Sequence, residues 1–232
     1  MSRYVVNPVG RPRAHNEETR GALRAAAEQI VADQGYGALS VRAVADHAGT
    51  TTRAVYSVFG SKEGLVDALA ETAFEFLFTT IEQMPESDDP VADLVAVGVQ
   101  AFRPLAIDHP ALYRIAFQRV MPHLRAGPEL SAARERAFAQ LRRKIERLHS
   151  AGYLGETSLE DATVAFEAVM EGLANAELRG GTLPILPAGD EERAWRSALE
   201  TVIRGFGAPA HDLFRRGSRA EHGGVGSRKD RP

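Results

Sequence analysis

Apolar residues recur along this chain at three- and four-residue spacing, the period of helices that bury one stripe. Leu23, Ala27, Ile30 and Val31 share a face of a first helix that starts behind Asn16 and ends at Gly35. Val41, Val44, Ala45 and Ala48 form the stripe of a second helix of barely two turns, opened by Ser40, whose hydroxyl can cap it. Gly49 permits a tight turn, and Thr50 or Thr51 caps a third short helix that stops near Phe59-Gly60. Ser61 opens a fourth, much longer helix that reaches about Met84.

Beyond a loop at Pro85 to Pro90, Asp89-Pro90 starts a helix that runs to about Ile107, and Asp108-His109-Pro110 starts another that runs to about Val120. Met121 to Pro128 reads as an irregular connection. Helices then follow over Glu129 to His149, Ser158 to Arg179 and Asp190 to Phe206, separated by Gly- and Pro-rich stretches. No Asn-Gly or Asp-Gly turn joins alternating strands, so the pattern predicts an all-α fold of about nine helices. Its predicted parts are a flexible basic arm over 1–16, a three-helix helix-turn-helix domain over 17–62, a larger helical domain over 63–207, and a basic, Gly-rich disordered tail over 208–232.

Charge sharpens this division. The net charge is −3, yet residues 1–62 hold 8 Lys/Arg against 5 Asp/Glu, while residues 63–214 hold 14 against 24. A basic front on an acidic body fits a protein that meets phosphate at one end only. The absence of cysteine removes disulfides, thiolate zinc sites and thiol nucleophiles, and a reducing cytoplasm is the natural setting. No signal-peptide core is expected in the opening residues. The apolar run Leu94 to Ile107 is broken by Gln100, Arg103 and Pro104, so no membrane span is expected.

Two short helices joined by a Gly turn behind a longer supporting helix meet the requirements of a helix-turn-helix. Val41, Val44, Ala45, Ala54, Val55 and Phe59 can share a core with the first helix, which leaves Thr51, Thr52, Arg53 and Tyr56 on or near the outward face of the third. Threonine can bond base edges or meet a thymine methyl, and Arg53 can fork onto guanine.

Over residues 17–64 the sequence closely resembles the TetR family, through Gly35-Tyr36-Gly37-Ala38-Leu39-Ser40-Val41-Arg42-Ala43-Val44-Ala45, His47-Ala48-Gly49 and Tyr56-Ser57-Val58-Phe59-Gly60-Ser61-Lys62-Glu63. The resemblance implies that Tyr56 and Lys62 contact phosphates, that Thr51, Thr52 and Arg53 sit at the groove, and that Arg42 flanks it. Thr50 stands where the family usually has an apolar plug, and Ser57-Val58 replace a more common polar or aromatic pair. Further on, Pro110 to Phe117 and Met170 to Leu178 resemble the family's WHG-type C-terminal subclass, with Glu171 where a His is common.

The resemblance also implies a homodimer, a small-molecule ligand and release of double-stranded DNA when that ligand binds. Helices 158–179 and 190–206 are the expected dimer contacts. The first carries a small-residue stripe at Val164, Ala168, Gly172 and Ala176, and the second carries bulk at Trp195, Leu199, Val202, Ile203 and Phe206. Phe102, Tyr113, Phe117, Met121, Phe138, Phe166 and Met170 are the candidate pocket residues, because aromatic and Met side chains line adaptable cavities. Glu167 and Glu171, one turn apart, could receive a cationic or hydroxylated ligand, although such a pair is more often a solvated face.

No enzyme constellation is present: there is no Gly-x-Ser-x-Gly, no Gly-x-x-x-x-Gly-Lys and no His-Glu-x-x-His, and the 7 His residues are scattered. No cofactor or metal is expected, and a metal shared by His109 and His123 is the remote alternative behind a metal-dependent enzyme. A helical small-molecule-binding or protein-interaction module without DNA activity would account for the helices but not for the Tyr56 to Lys62 signature.

Overall fold

A computed structural model describes residues 11–118, 126–180 and 189–207, with side chains from Glu17 onward. Among these residues there are nine helices and no strand, as the periodicity predicts. They are α1 (Arg11–Gln34), α2 (Val41–His47), α3 (Thr52–Phe59), α4 (Lys62–Gln83), α5 (Pro90–Asp108), α6 (Pro110–Phe117), α7 (Pro128–Ser150), α8 (Leu159–Leu178) and α9 (Glu191–Phe206). The arm over 1–10, the connection over 119–125 with Met121 and His123, and the tail over 208–232 lie outside the described residues.

One boundary differs from the sequence reading: α1 begins at Arg11, so Asn16 lies inside it rather than capping it. Pro12 accounts for the earlier start, since proline in a first helical turn lacks only an N–H that would have no partner there. The other caps fall where the sequence puts them. Ser40, Thr51, Ser61 and Ser158 each accept a hydrogen bond from the backbone amide three residues on, and Asp89 accepts from Val91 and Ala92.

The head is α1 to α3, with Leu23, Ala27, Ile30, Val31, Val41, Val44, Ala45 and Val55 buried together. Ala54 and Phe59, also expected in this core, are only partly buried; the Arg20 guanidinium lies 5.3 Å from the Phe59 ring. In the body, α4 packs against α6 and α7, α5 against α7, and α8 against α9. Head and body meet along α1, where Arg20 faces Glu71, Arg24 donates to Thr72, and His109 Nδ1 lies 3.1 Å from Glu28 Oε1.

By length and apolarity α5 could cross a membrane, but 61% of that stretch is buried inside the protein, the pattern of a core helix. Its middle, Val97–Phe102, winds as a π-helical turn. Gly98 in this turn leaves room for Leu199 of α9; a Cβ there would run into that side chain.

A polar clasp closes the loop between α4 and α5 onto α7. Arg147 pairs with Asp93, Arg143 lies 3.1 Å from Glu86, and the buried Lys144 reaches the same carboxylate at 3.4 Å. Burial alone would raise the Asp93 carboxyl, but the Ser87 amide and hydroxyl and the Arg147 guanidinium together hold it below its ordinary value. A carboxyl depressed in the folded state adds stability that is present above its unfolded pKa and lost as pH falls through the folded one. Thermal melts followed by circular dichroism should therefore show an acid-side loss that Asp93→Asn flattens, and equal slopes in both proteins would remove Asp93 from the account.

Candidate nucleic-acid interface and cavity

The reading surface is set by three capped helix starts in close succession. Ser40 Oγ accepts from Ala43 N at 3.1 Å, Thr51 Oγ1 from Ala54 N at 3.2 Å, and Ser61 Oγ from Gly64 N at 3.1 Å. Between α2 and α3, Gly49 takes a φ of +64°, a left-handed conformation that glycine adopts without strain. The Thr50 amide then donates back to the Ala45 carbonyl at 2.9 Å, closing the turn. Half-buried Thr50 thus fastens the turn through its backbone, where an apolar side chain would fasten it by packing.

With Val55 completely buried, the opposite face of α3 points outward, and Thr51, Thr52, Arg53 and Tyr56 are all exposed. Tyr56 is 53% exposed, far more than a rim residue of the small core would be. Arg42 on α2 is exposed as well and stands 3.8 Å from Asp46, a solvated pair one turn apart that holds the guanidinium only weakly. Lys62, at the start of α4, is partly buried, with Nζ 5.3 Å from the centre of the Tyr36 ring. Tyr36, not among the expected contacts, props this lysine by a cation–π contact. Beside it, its own backbone amide and the Ser61 hydroxyl hold the Glu63 carboxyl below its ordinary value, so an anion adjoins the lysine.

In the body, two cavities share a wall. The inner one, about 30 Å³, lies between α4 (Phe74, Leu77, Ile81), α5 (Val97, Phe102) and α6 (Phe117). Ala137, Phe138 and Leu141 of α7 and Glu167 and Met170 of α8 close it. The outer one, about 390 Å³, reuses Phe74, Phe117, Phe138 and Glu167 and adds Ala116, Arg134, Val164, Ala168 and Glu171. The inner space has room for little more than water, so a bound molecule must occupy the outer cavity or displace the rings between the two.

Of the expected pocket residues, Phe102, Phe117, Phe138 and Met170 line the inner cavity. Tyr113 and Phe166 do not line either one; both are completely buried. Tyr113 stacks on Phe117 at 5.5 Å, its hydroxyl 3.5 Å from the Glu171 carbonyl, and burial with help from Glu171 pushes its phenol up to about 12. Phe166 lies one turn from Met170 on the stripe Ala162, Phe166, Met170 and Ala174, and packs into the core. The α4 wall was not among the expected residues, whereas Glu167 and Glu171, raised as a possible ligand contact, both line the outer cavity and Glu167 the inner one as well. Glu167 is half-buried rather than solvated, and burial, then Glu171, raises its carboxyl while Arg134 opposes them.

The expected dimer surfaces divide. Val164, Ala168 and Gly172 are exposed on α8, but Trp195, Leu199, Ile203 and Phe206 of α9 turn into the protomer's own core. The outward face of α9 is instead smaller, with Ala194, Ala198, Thr201 and Val202 around a groove that Val169 of α8 completes. Among the described residues no three His, Asp or Glu side chains gather as a metal site.

A three-helix head with an exposed, capped reading helix, joined to a helical body that holds a cavity, is the build of a helix-turn-helix regulator. Residues 23–69 match the profile of bacterial regulatory proteins of the tetR family, and residues 94–202 match that of the tetracyclin repressor-like C-terminal domain. The chain belongs to the TetR family. Among curated relatives, the HTH-type transcriptional repressor KstR2 of Mycobacterium tuberculosis is 28% identical over 131 residues, 56% of this chain and 64% of that protein, so the match spans under two thirds of the relative. Among solved structures, a Rhodococcus sp. RHA1 protein of unknown function superposes with a TM-score of 0.69 at 24% identity, covering 82% of this chain and 96% of that one. The TetR family transcriptional regulator PfmR from Thermus thermophilus gives 0.61 at 22%, covering 78% and 97%.

Proposed function

We propose that this chain is a transcriptional repressor that binds a pseudo-palindromic operator as a homodimer and releases it when a small molecule enters the body. The observation that carries this reading is the exposed row Thr51, Thr52, Arg53 and Tyr56 on a helix whose other face is buried, next to Lys62 at the start of the following helix. Residues 17–62 form the DNA-binding domain and residues 63–207 the ligand-binding and dimerisation domain. Thr51, Thr52 and Arg53 read bases, Arg42 flanks them, and Tyr56 and Lys62 hold phosphates, Lys62 with the α4 dipole behind it. The protein acts in the cytoplasm, on double-stranded DNA.

Two protomers join through the outward faces of α8 and α9. That joint sets the distance between reading heads, and half-sites about one helical turn or more apart match it. A ligand held in the outer cavity against Phe117 and Phe138, with Phe102 and Met170 behind them, favours a body shape in which the heads are wrongly spaced, and the operator is released by a shift of population.

Gel shifts against the DNA beside its own gene, at several salt concentrations, test the interface. Lys62→Ala should weaken binding about equally on every sequence and lower the salt slope by about one per protomer, whereas Arg53→Ala should cost about 1–3 kcal/mol per half-site and relax base preference. Undiminished affinity in Lys62→Ala would refute its assignment to phosphate.

A further inference from the structure

The two cavities differ in character, and the side chain on their seam is a carboxylate. The described inner walls are apolar apart from Glu167, and the described lining of the outer cavity carries Glu167, Glu171 and Arg134. Glu167 makes no hydrogen bond or ion pair among the described residues, although it is half-buried. Three rings, Phe74, Phe117 and Phe138, stand on both sides of the seam, with Phe74 and Phe117 centred 5.3 Å apart and Phe74 and Phe138 6.3 Å apart. One cation already rests on this rim, the Arg134 guanidinium 5.5 Å from the Phe138 ring centre.

We propose that the cavity takes an organic monocation with an apolar body, its ammonium group on the Glu167 carboxylate and its body among Phe74, Phe117 and Phe138. The proposal rests on the reading of this cavity as the effector site and adds the charge of the effector. An anion would meet the Glu167 carboxylate at the seam. A neutral molecule would leave the Glu167 charge half-buried and unpaired, a costly arrangement. An ammonium pairs with that charge and lies against ring faces whose quadrupoles attract cations, while an apolar body displaces the rings toward the small inner space.

The experiment uses the full chain and three probes of equal length: 4-phenylbutylamine, 4-phenylbutan-1-ol and 4-phenylbutanoate, titrated by calorimetry into the wild type and Glu167→Gln. The amine should bind the wild type roughly tenfold more tightly than the alcohol, and the acid more weakly than either. In Glu167→Gln the amine should lose this lead over the alcohol, with an unchanged circular-dichroism melt reporting an intact fold. An alcohol that binds as tightly as the amine, an acid that binds best, or an amine lead that survives Glu167→Gln overturns the charge assignment and leaves the effector site standing. Failure of all three probes to bind overturns both.

Discussion

Gly172→Arg is expected to yield a well-folded monomer that has lost operator binding. Gly172 lies inside α8, is exposed, and a Cβ added there would meet nothing within 4 Å. Glycine in a helix interior costs about 0.5–1 kcal/mol relative to alanine, so the protomer alone would be better served by almost any other residue. A glycine that no contact inside the protomer requires, on a face shared with Ala168 and with Val164 at 65% exposure, fits a second copy of the helix lying close against it. Across a two-fold axis the substitution brings two guanidinium groups toward one another, so sterics and charge act together. Light scattering should give the mass of one chain, circular dichroism should keep the helical signal, and operator affinity should fall roughly 100-fold or more because the second head is no longer tethered to the first. A dimer of unchanged mass would show that α8 is not the contact.

The same helix shows how far sequence reasoning reaches. Its periodicity separates Val164, Ala168 and Gly172 from the buried stripe, and all three are exposed. On α9 the reasoning fails, since a strong apolar stripe demands burial without saying against what. Trp195, Leu199, Ile203 and Phe206 satisfy that demand against their own protomer, and the outward face is left to Ala194, Ala198 and Val202. In the head the later caps and the turn were legible, because those signals are local: a hydroxyl reaches an amide three residues on, and Gly49 supplies its turn without reference to the rest of the chain.

The cavity was legible only in part. Phe102, Phe117 and Phe138 stand out as aromatic residues, but hydrophobic period reports burial, and a void is a failure of buried side chains from separate helices to meet. Nothing in that period sets Phe74, Leu77 and Ile81 apart from plain core, yet all three line the inner cavity. The Glu167–Glu171 spacing reads as a solvated pair because spacing describes one helix, whereas half-buried Glu167 lines cavities that other helices complete, with Phe117 of α6 and Phe138 of α7 among their walls. The π-helical turn at Val97–Phe102, which contributes Val97 and Phe102 to the wall, has no sequence signal in the period of apolar positions.

Trp195→Ala should be the most destabilising single change in the body, by about 3–5 kcal/mol, a large share of the roughly 5–15 kcal/mol that holds an ordinary domain together. The indole is completely buried, and its Nε1–H donates to Glu177 Oε2 at 2.8 Å. Arg103 grips the same carboxylate, through Nε at 3.1 Å and a terminal nitrogen at 2.6 Å, so three helices, α5, α8 and α9, meet on one carboxylate. Because Arg103 stays paired with Glu177, Trp195→Phe leaves no buried charge alone; it gives up one hydrogen bond and part of the volume, for about 1–2 kcal/mol. The contrast separates packing from polar contact. Urea denaturation followed by circular dichroism is the appropriate measurement, since the chain has 1 Trp and either change removes its fluorescence. If Trp195→Ala costs no more than Trp195→Phe, the indole is not what seats α9, and the outward face built from Ala194, Ala198 and Val202 must be positioned by the α9–α8 packing around Leu199 and Ile203 instead.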